Sequence, residues 1–193
     1  MKKILIILIP MTLHGQVDNS AIQTEFIKLL NSYRKLNGVP PVKPHLDAQA
    51  AAKIQSDYLA STFHTEGEEY KYEITHFHPT YPHPQDRVNF INPILSQNFA
   101  VGENAAEFFR DSPVLPKEIA EQLFEQWKHS PGHNALMLEP GFSHIGIAVS
   151  SKKQTITYVN KEYNVTHQSN KIMYASALVF LMPMTPTAMT TKF

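Results

Sequence analysis

The stretch EQWKHSPGHNALML, Glu125 to Leu138, sets His129 and His133 four residues apart with Pro131 and Gly132 between them. On one continuous helix that spacing would aim both imidazoles at a single metal ion, as in a zinc-peptidase helix. The residue before a proline is pushed out of the α region, so the helix entering this stretch ends before Pro131. Ser130 is a good N-cap, Pro131 suits the first helical position and Gly132 is tolerated in the first turn; a new short helix is expected from there to about Leu138. The two histidines then belong to different elements, and the glutamate that should follow the first one is missing as well.

Working outward, the pattern after Pro140 becomes extended. HIGIAVS (144–150), QTITYVN (154–160) and KIMYASALVFL (171–181) are rich in β-branched and aromatic residues, and a polar SKK turn is expected between the first two. They read as an antiparallel sheet. Before the opening stretch, Ile119, Ala120, Leu123, Phe124 and Trp127 mark a helix that begins near Pro116. Ile22, Phe26, Leu29, Leu30 and Tyr33 give an amphipathic helix over Ser20–Asn37, ended by Gly38 and an extended VPPVKP, and Leu46, Ala50, Ile54 and Tyr58 give another from about Asp47 to Ser61. Helices packed on a sheet make an α+β layered domain over residues 20–182. The long segment between the second helix and Leu115 carries Pro79, Pro82, Pro84 and Pro93 and few periodic apolar residues, and reads as an irregular, functional loop.

At 193 residues, 42% hydrophobic and 18% charged, the chain fits one globular domain with an adequate core. Residues 1–15 carry Lys2 and Lys3, then an apolar run from Ile4 to Leu13 and a small Gly15, which reads as a signal peptide cleaved before Gln16. The run is about half the roughly 20 residues that span a bilayer, so no membrane span is expected in the mature chain, which is placed in the periplasm or outside the cell. The 17 Lys and Arg, less Lys2 and Lys3, leave 15 basic residues against 17 acidic ones, a balance that excludes nucleic acid as the expected partner. There is no cysteine, so the exported fold rests on its core alone. Residues 183–193 lack pattern and read as a tail.

Three groups of residues carry candidate chemistry. His133, at the third position of the short helix, lies beside unpaired backbone N–H groups and the positive end of the helix dipole, which favour the neutral imidazole a metal or an acid–base role requires. In FAVGENAAEFF, Gly102 reads as a turn and Glu103 as a carboxylate near the start of a further helix. In ITHFHP, His76 and His78 point to the same side of an extended segment. Each also suits a plainer role in packing, capping or dipole pairing.

Taken together, LLNSYRKLNGVPPV, the eleven-residue step from His76 to Arg87, GENAAEFF and QWKHSPGHNALMLEPGFSHIGIAV resemble, in order and spacing, the CAP superfamily of SCP domains, above all its cysteine-free bacterial branch. The resemblance implies an α-β-α sandwich with a central antiparallel sheet and a cleft lined by two histidines and acidic residues, which in some members hold a divalent ion such as zinc. Matched residue by residue, it implies His76, Glu103 and His133 as metal-site candidates, His78 as the alternative to His76, and Asn104 and Ser130 as cleft-lining residues. A second cleft glutamate of many eukaryotic members falls on Ser130 here. The resemblance favours a secreted, non-enzymatic module that binds a small molecule, a lipid-like ligand or a protein; the competing reading is a metal-dependent hydrolase using a zinc-bound water.

Overall fold

The computed structural model describes residues 17–62, 74–160 and 165–184. The expected signal peptide, the acidic cluster Glu66–Tyr70 and nearly all of the expected tail lie outside the described residues. Among those described, helix α1 runs Asn19–Leu36, with Asp18 accepting the Ala21 N–H at 3.0 Å as its N-cap. Gly38, at φ 70°, follows its C-terminal cap in the left-handed conformation that ends helices most cheaply at glycine. Strand β1 (Lys43–Pro44) leads into α2 (Leu46–Thr62), whose buried face is built of Ala48, Ala51, Ala52, Gln55, Ser56 and Leu59. The small side chains let the sheet come close. A Cβ on Gly146 would lie 2.0 Å from the Gln49 nitrogen, so only glycine fits where the third strand passes under α2.

Helices α3 (Pro84–Ile91) and α4 (Pro93–Asn98) follow, each opened by a proline in the first turn, where a missing N–H costs nothing. Strand β2 (Phe99–Arg110), helices α5 (Pro116–Lys128) and α6 (Pro131–Leu138), and strands β3 (His144–Asn160) and β4 (Val165–Pro183) complete the chain. The strand order is β1-β3-β4-β2, with β3–β4 and β4–β2 antiparallel and the short β1 parallel to the start of β3.

Two helical layers cover the sheet. Leu178 and Phe180 of β4 join Phe26, Leu123 and Trp127 under α1, α5 and α6, while Ala177, Val179 and Leu181 join Ala48, Ala52 and Val88 under α2 and α3. This alternation of one strand between two cores is the signature of a sheet buried on both faces, and the α-β-α sandwich is as expected. Trp127 is fully buried, edge-on to Phe26 with ring centroids 5.4 Å apart, a pairing that contributes about 1 kcal/mol beyond area burial. Arg34, also fully buried, donates to the carbonyls of Pro40, Met137, Glu139 and Phe142. One side chain thereby ties the end of α1 to the end of α6 and to the approach to β3.

Four expectations are corrected. FAVGENAAEFF is a strand throughout: pairing with β4 from Phe99↔Pro183 to Arg110↔Ile172 overrides the helical preference of its alanines and glutamates. Gly102 makes no turn; a Cβ there would meet the Phe142 ring at 2.8 Å. The SKK segment is not a turn either, because β3 continues through it and stays in register with β4 from His144↔Leu181 to Asn160↔Val165. Finally, the segment expected to be irregular up to Leu115 contains α3, α4 and β2.

Candidate functional site

The site forms around β2, which no further strand flanks on its outer side among the described residues. Side chains alternate along it, so Glu103 faces the α2–α3 layer and Asn104 the α5–α6 layer. From the first side, Arg87 of α3, fully buried, donates from Nη2 to Glu103 Oε2 at 2.5 Å. Its Nη1 also donates to the carbonyls of His76 and Tyr81, so one guanidinium fixes both the carboxylate and the 76–81 loop. The second oxygen of Glu103 lies 3.0 Å from His76 Nδ1. A carboxylate already paired with a guanidinium accepts rather than donates, which puts the His76 proton on Nδ1 and leaves Nε2 as the free acceptor. Glu103 is 1% exposed and the His76 side chain 49% exposed, so the ring is anchored at its buried nitrogen and open on the other side.

From the other side comes α6. The carbonyl of His133 accepts from Asn104 Nδ2 at 3.1 Å, Asn134 accepts from the Tyr33 hydroxyl at 3.1 Å, and Arg34 holds the Met137 carbonyl. His133 is the third helical residue, as expected. Burial lowers its pKa, and a proton charge on His76 would lower it further, so the neutral imidazole is favoured. Helix α5 seals the rest of this edge, with Trp127 Nε1 donating to the Ala105 carbonyl and Gln126 Nε2 to that of Glu107, both at 3.3 Å.

His76, Glu103, Asn104 and His133 are thus gathered at one strand edge. His78 is placed differently: the chain bends at His76, and His78 lies between Tyr58 and Tyr81, stacked on the second, while its Nδ1 accepts the Thr80 and Tyr81 N–H groups. The expectation that both histidines face one side of an extended segment is therefore corrected. Burial and the charge of Arg87 lower the His78 pKa. Ser130 occupies the N-cap position, but its hydroxyl makes no capping bond; its carbonyl accepts from Asn134 N. His129 caps the end of α5 beside Glu125, away from α6 as the proline reading requires.

For a divalent ion the donor set is limited. Both Glu103 oxygens are engaged, and among the described residues no group of three or more His, Asp or Glu side chains is arranged to hold a metal. As a direct ligand Glu103 does not fit this arrangement; as the partner behind a ligating His76 it does. Sequence reasoning missed Glu107, four residues along the same face. Its Oε2 is buried without a hydrogen-bond partner, and burial raises its pKa to about 7. The spacing from Glu103 was visible, but only the strand assignment gives it meaning.

Comparison with known proteins bears on the whole arrangement. The model of the cysteine-rich secretory protein family, CAP, matches residues 27–166. The uncharacterized protein YkwD of Bacillus subtilis is 26% identical over 128 residues, 66% of this chain, and the chain spans only 42% of that relative's length. Among solved structures, an outer surface protein of Borrelia burgdorferi aligns with TM-score 0.52 at 12% identity, covering 87% of this chain and 97% of its own. An extracellular SCP-domain protein of Bacillus anthracis gives TM-score 0.52 at 17% identity, covering 85% of this chain and 41% of its own. At these identities the two structures share the fold.

Proposed function

The chain belongs to the cysteine-rich secretory protein (CAP) family, and from that premise we propose that it is an exported, non-catalytic binding protein whose ligand site is the outer edge of β2 at His76 and His133. Export rests on the signal-peptide pattern of residues 1–15; no helix among the described residues is long and apolar enough to cross a membrane. The observation that carries the binding role is the buried Arg87–Glu103–His76 chain, which orients a half-exposed imidazole beside a second one favoured in its neutral form. Proteins orient a ligand-binding histidine with a carboxylate behind it in this way.

The occupant is a small molecule, a lipid-like molecule or a segment of another protein, and a divalent ion such as zinc is a candidate cofactor. His76 and His133 would hold such an ion, with Glu103 behind His76, and the ion would supply a Lewis-acidic anchor for a donor group of the ligand. Thermal unfolding with added zinc tests this. The wild type is expected to gain stability, and His76→Ala and His133→Ala each to abolish the gain; an equal gain in both variants, or none in the wild type, contradicts the metal part of the reading.

One feature favours the hydrolase alternative: a histidine oriented by a carboxylate is also the arrangement of a general base. Incubation with a peptide library separates the two. Cleavage that disappears in both histidine variants replaces the binding reading, whereas an intact library supports it.

A further inference from the structure

His76 reaches the site from a segment, residues 74–82, that forms neither helix nor strand, so no ladder satisfies its backbone carbonyls. Two fully buried side chains take that task. Gln55, on the buried face of α2, donates from Nε2 to the Thr75 carbonyl at 2.7 Å and reaches the Phe77 carbonyl at 3.4 Å. Arg87 holds the carbonyl of His76 between them and that of Tyr81 farther on, both at 3.2 Å. The peptide group before His76 is thus fixed by Gln55, the one after it by Arg87, and the next again by Gln55.

The two anchors differ in what else they do. Arg87 also pairs with Glu103, so its loss strips the carboxylate as well as the loop. The Gln55 side chain bonds only to the loop among the described residues, and its Oε1 is buried without a partner. An amide oxygen turned toward two carbonyls would be repelled, which fixes the amide with its nitrogen toward the loop. A buried amide with one of its polar atoms unpaired costs free energy, and an apolar side chain would avoid that cost. What the amide supplies is a donor where the loop turns its carbonyls inward. The loop itself lies at the surface, with Phe77 52% exposed and the His76 side chain half-exposed. Without that donor the loop carbonyls find water by lifting outward, and the His76 ring lifts with them, away from Glu103.

We infer that Gln55 is a positioning residue for His76: it sets the reach of the imidazole to Glu103 without touching the ring. The consequence for binding rests on the reading of His76 and His133 as one ligand site; the consequence for the ring does not. Helix α6 is anchored separately, through Asn104, the Tyr33–Asn134 bond and Arg34, so a change at Gln55 moves one imidazole and leaves the other.

The test uses the full chain with Gln55→Leu, which removes the donor at similar size. Gln55→Asn, with the amide drawn back by one methylene, is read in parallel so that the outcome stands if leucine prevents folding. Ring-nitrogen NMR without metal reports which His76 nitrogen carries the proton, a choice set by the hydrogen bond to Glu103. In the wild type the proton is expected on Nδ1; in both variants it is expected to be shared between Nδ1 and Nε2, with the His133 ring unchanged. A merely structural role lowers the urea midpoint and leaves the His76 proton on Nδ1. That result overturns the inference, as does an equal disturbance of His133. Zinc titration then separates the two claims. Zinc affinity should fall roughly tenfold in the variants, the loss of about one hydrogen bond, and an unchanged affinity overturns the positioning role. A wild type that ignores zinc, while the His76 proton still moves in the variants, defeats the metal part of the ligand-site reading and supports the positioning role.

Discussion

Two carboxylates lie on one face of β2, four residues apart, and their surroundings could hardly differ more. Glu103 is almost fully buried, yet each oxygen has a partner, Arg87 on one and His76 on the other. Glu107 is more open, but its Oε2 is buried without a partner and its pKa is raised to about 7 by burial. Depth alone therefore does not decide whether a carboxylate is tolerated; partners do. The first end of the strand is built to hold a charge and orient a ring, and burial at the second favours the protonated carboxyl.

The largest expected effect breaks the first end. Arg87→Met leaves Glu103 buried and uncompensated, which should cost about 3–5 kcal/mol in urea unfolding. Adding Glu103→Leu removes the stranded charge, so the double variant should recover much of that loss; if it is as unstable as the single variant, the ion pair is not what the arginine supplies.

A smaller effect concerns the second end. The folded pKa of Glu107 lies above the unfolded value of 4.5, so the folded state binds the proton more tightly, and stability falls as pH rises from about 4.5 through about 7. Allowing for solvent screening of this partly exposed group, the loss is about 1–2 kcal/mol. Glu107→Gln should remove that slope, and an unchanged slope by chemical denaturation across this range would separate Glu107 from it.

The smallest effect has the opposite sign. His78, His133 and His144 have lowered folded pKa values, so their contribution is complete above the unfolded value of 6.5 and is lost as pH falls below it. In the Glu107→Gln background, where the carboxylate no longer masks it, this acid-side loss should shrink when His133 is replaced by Asn. The comparison is sharpened if the two variants alter separate limbs of the pH profile.

Much of the architecture could be read from local pattern. The apolar stripes of α1 and α5 are periodic and long, and α6 announces itself through Ser130-Pro131-Gly132; α2 is a helix as expected, but it buries Ala48, Ala51, Ala52 and Leu59 and leaves Leu46 exposed, so its expected stripe of Leu46, Ala50, Ile54 and Tyr58 is corrected. Strand β2 could not be read this way, because Ala105, Ala106 and Glu107 favour a helix in isolation and become a strand only by pairing with β4, about seventy residues later. Helix α4 did carry a signal: Asn92 caps it, accepting from Leu95 N, and Pro93 opens it, but six residues are too few to show periodicity. For the site, the order and spacing of motifs pointed to His76, Glu103 and His133. Their grouping at one strand edge depends on Arg87, Asn104 and Arg34, whose bonds join segments far apart in the chain.

The central claim is that His76 and His133, brought to β2 from opposite layers, act as one ligand site with Glu103 behind the first. Its most direct test follows the ring nitrogens of all histidines by NMR during a zinc titration of the full chain. The His76 and His133 rings should shift together at the same zinc concentration, with His76 Nδ1 keeping its proton toward Glu103, and Glu103→Gln should weaken the shared response. Shifts in only one of the two rings, or a response centred instead on His45 and His144, whose ring centroids lie 5.7 Å apart, would contradict it.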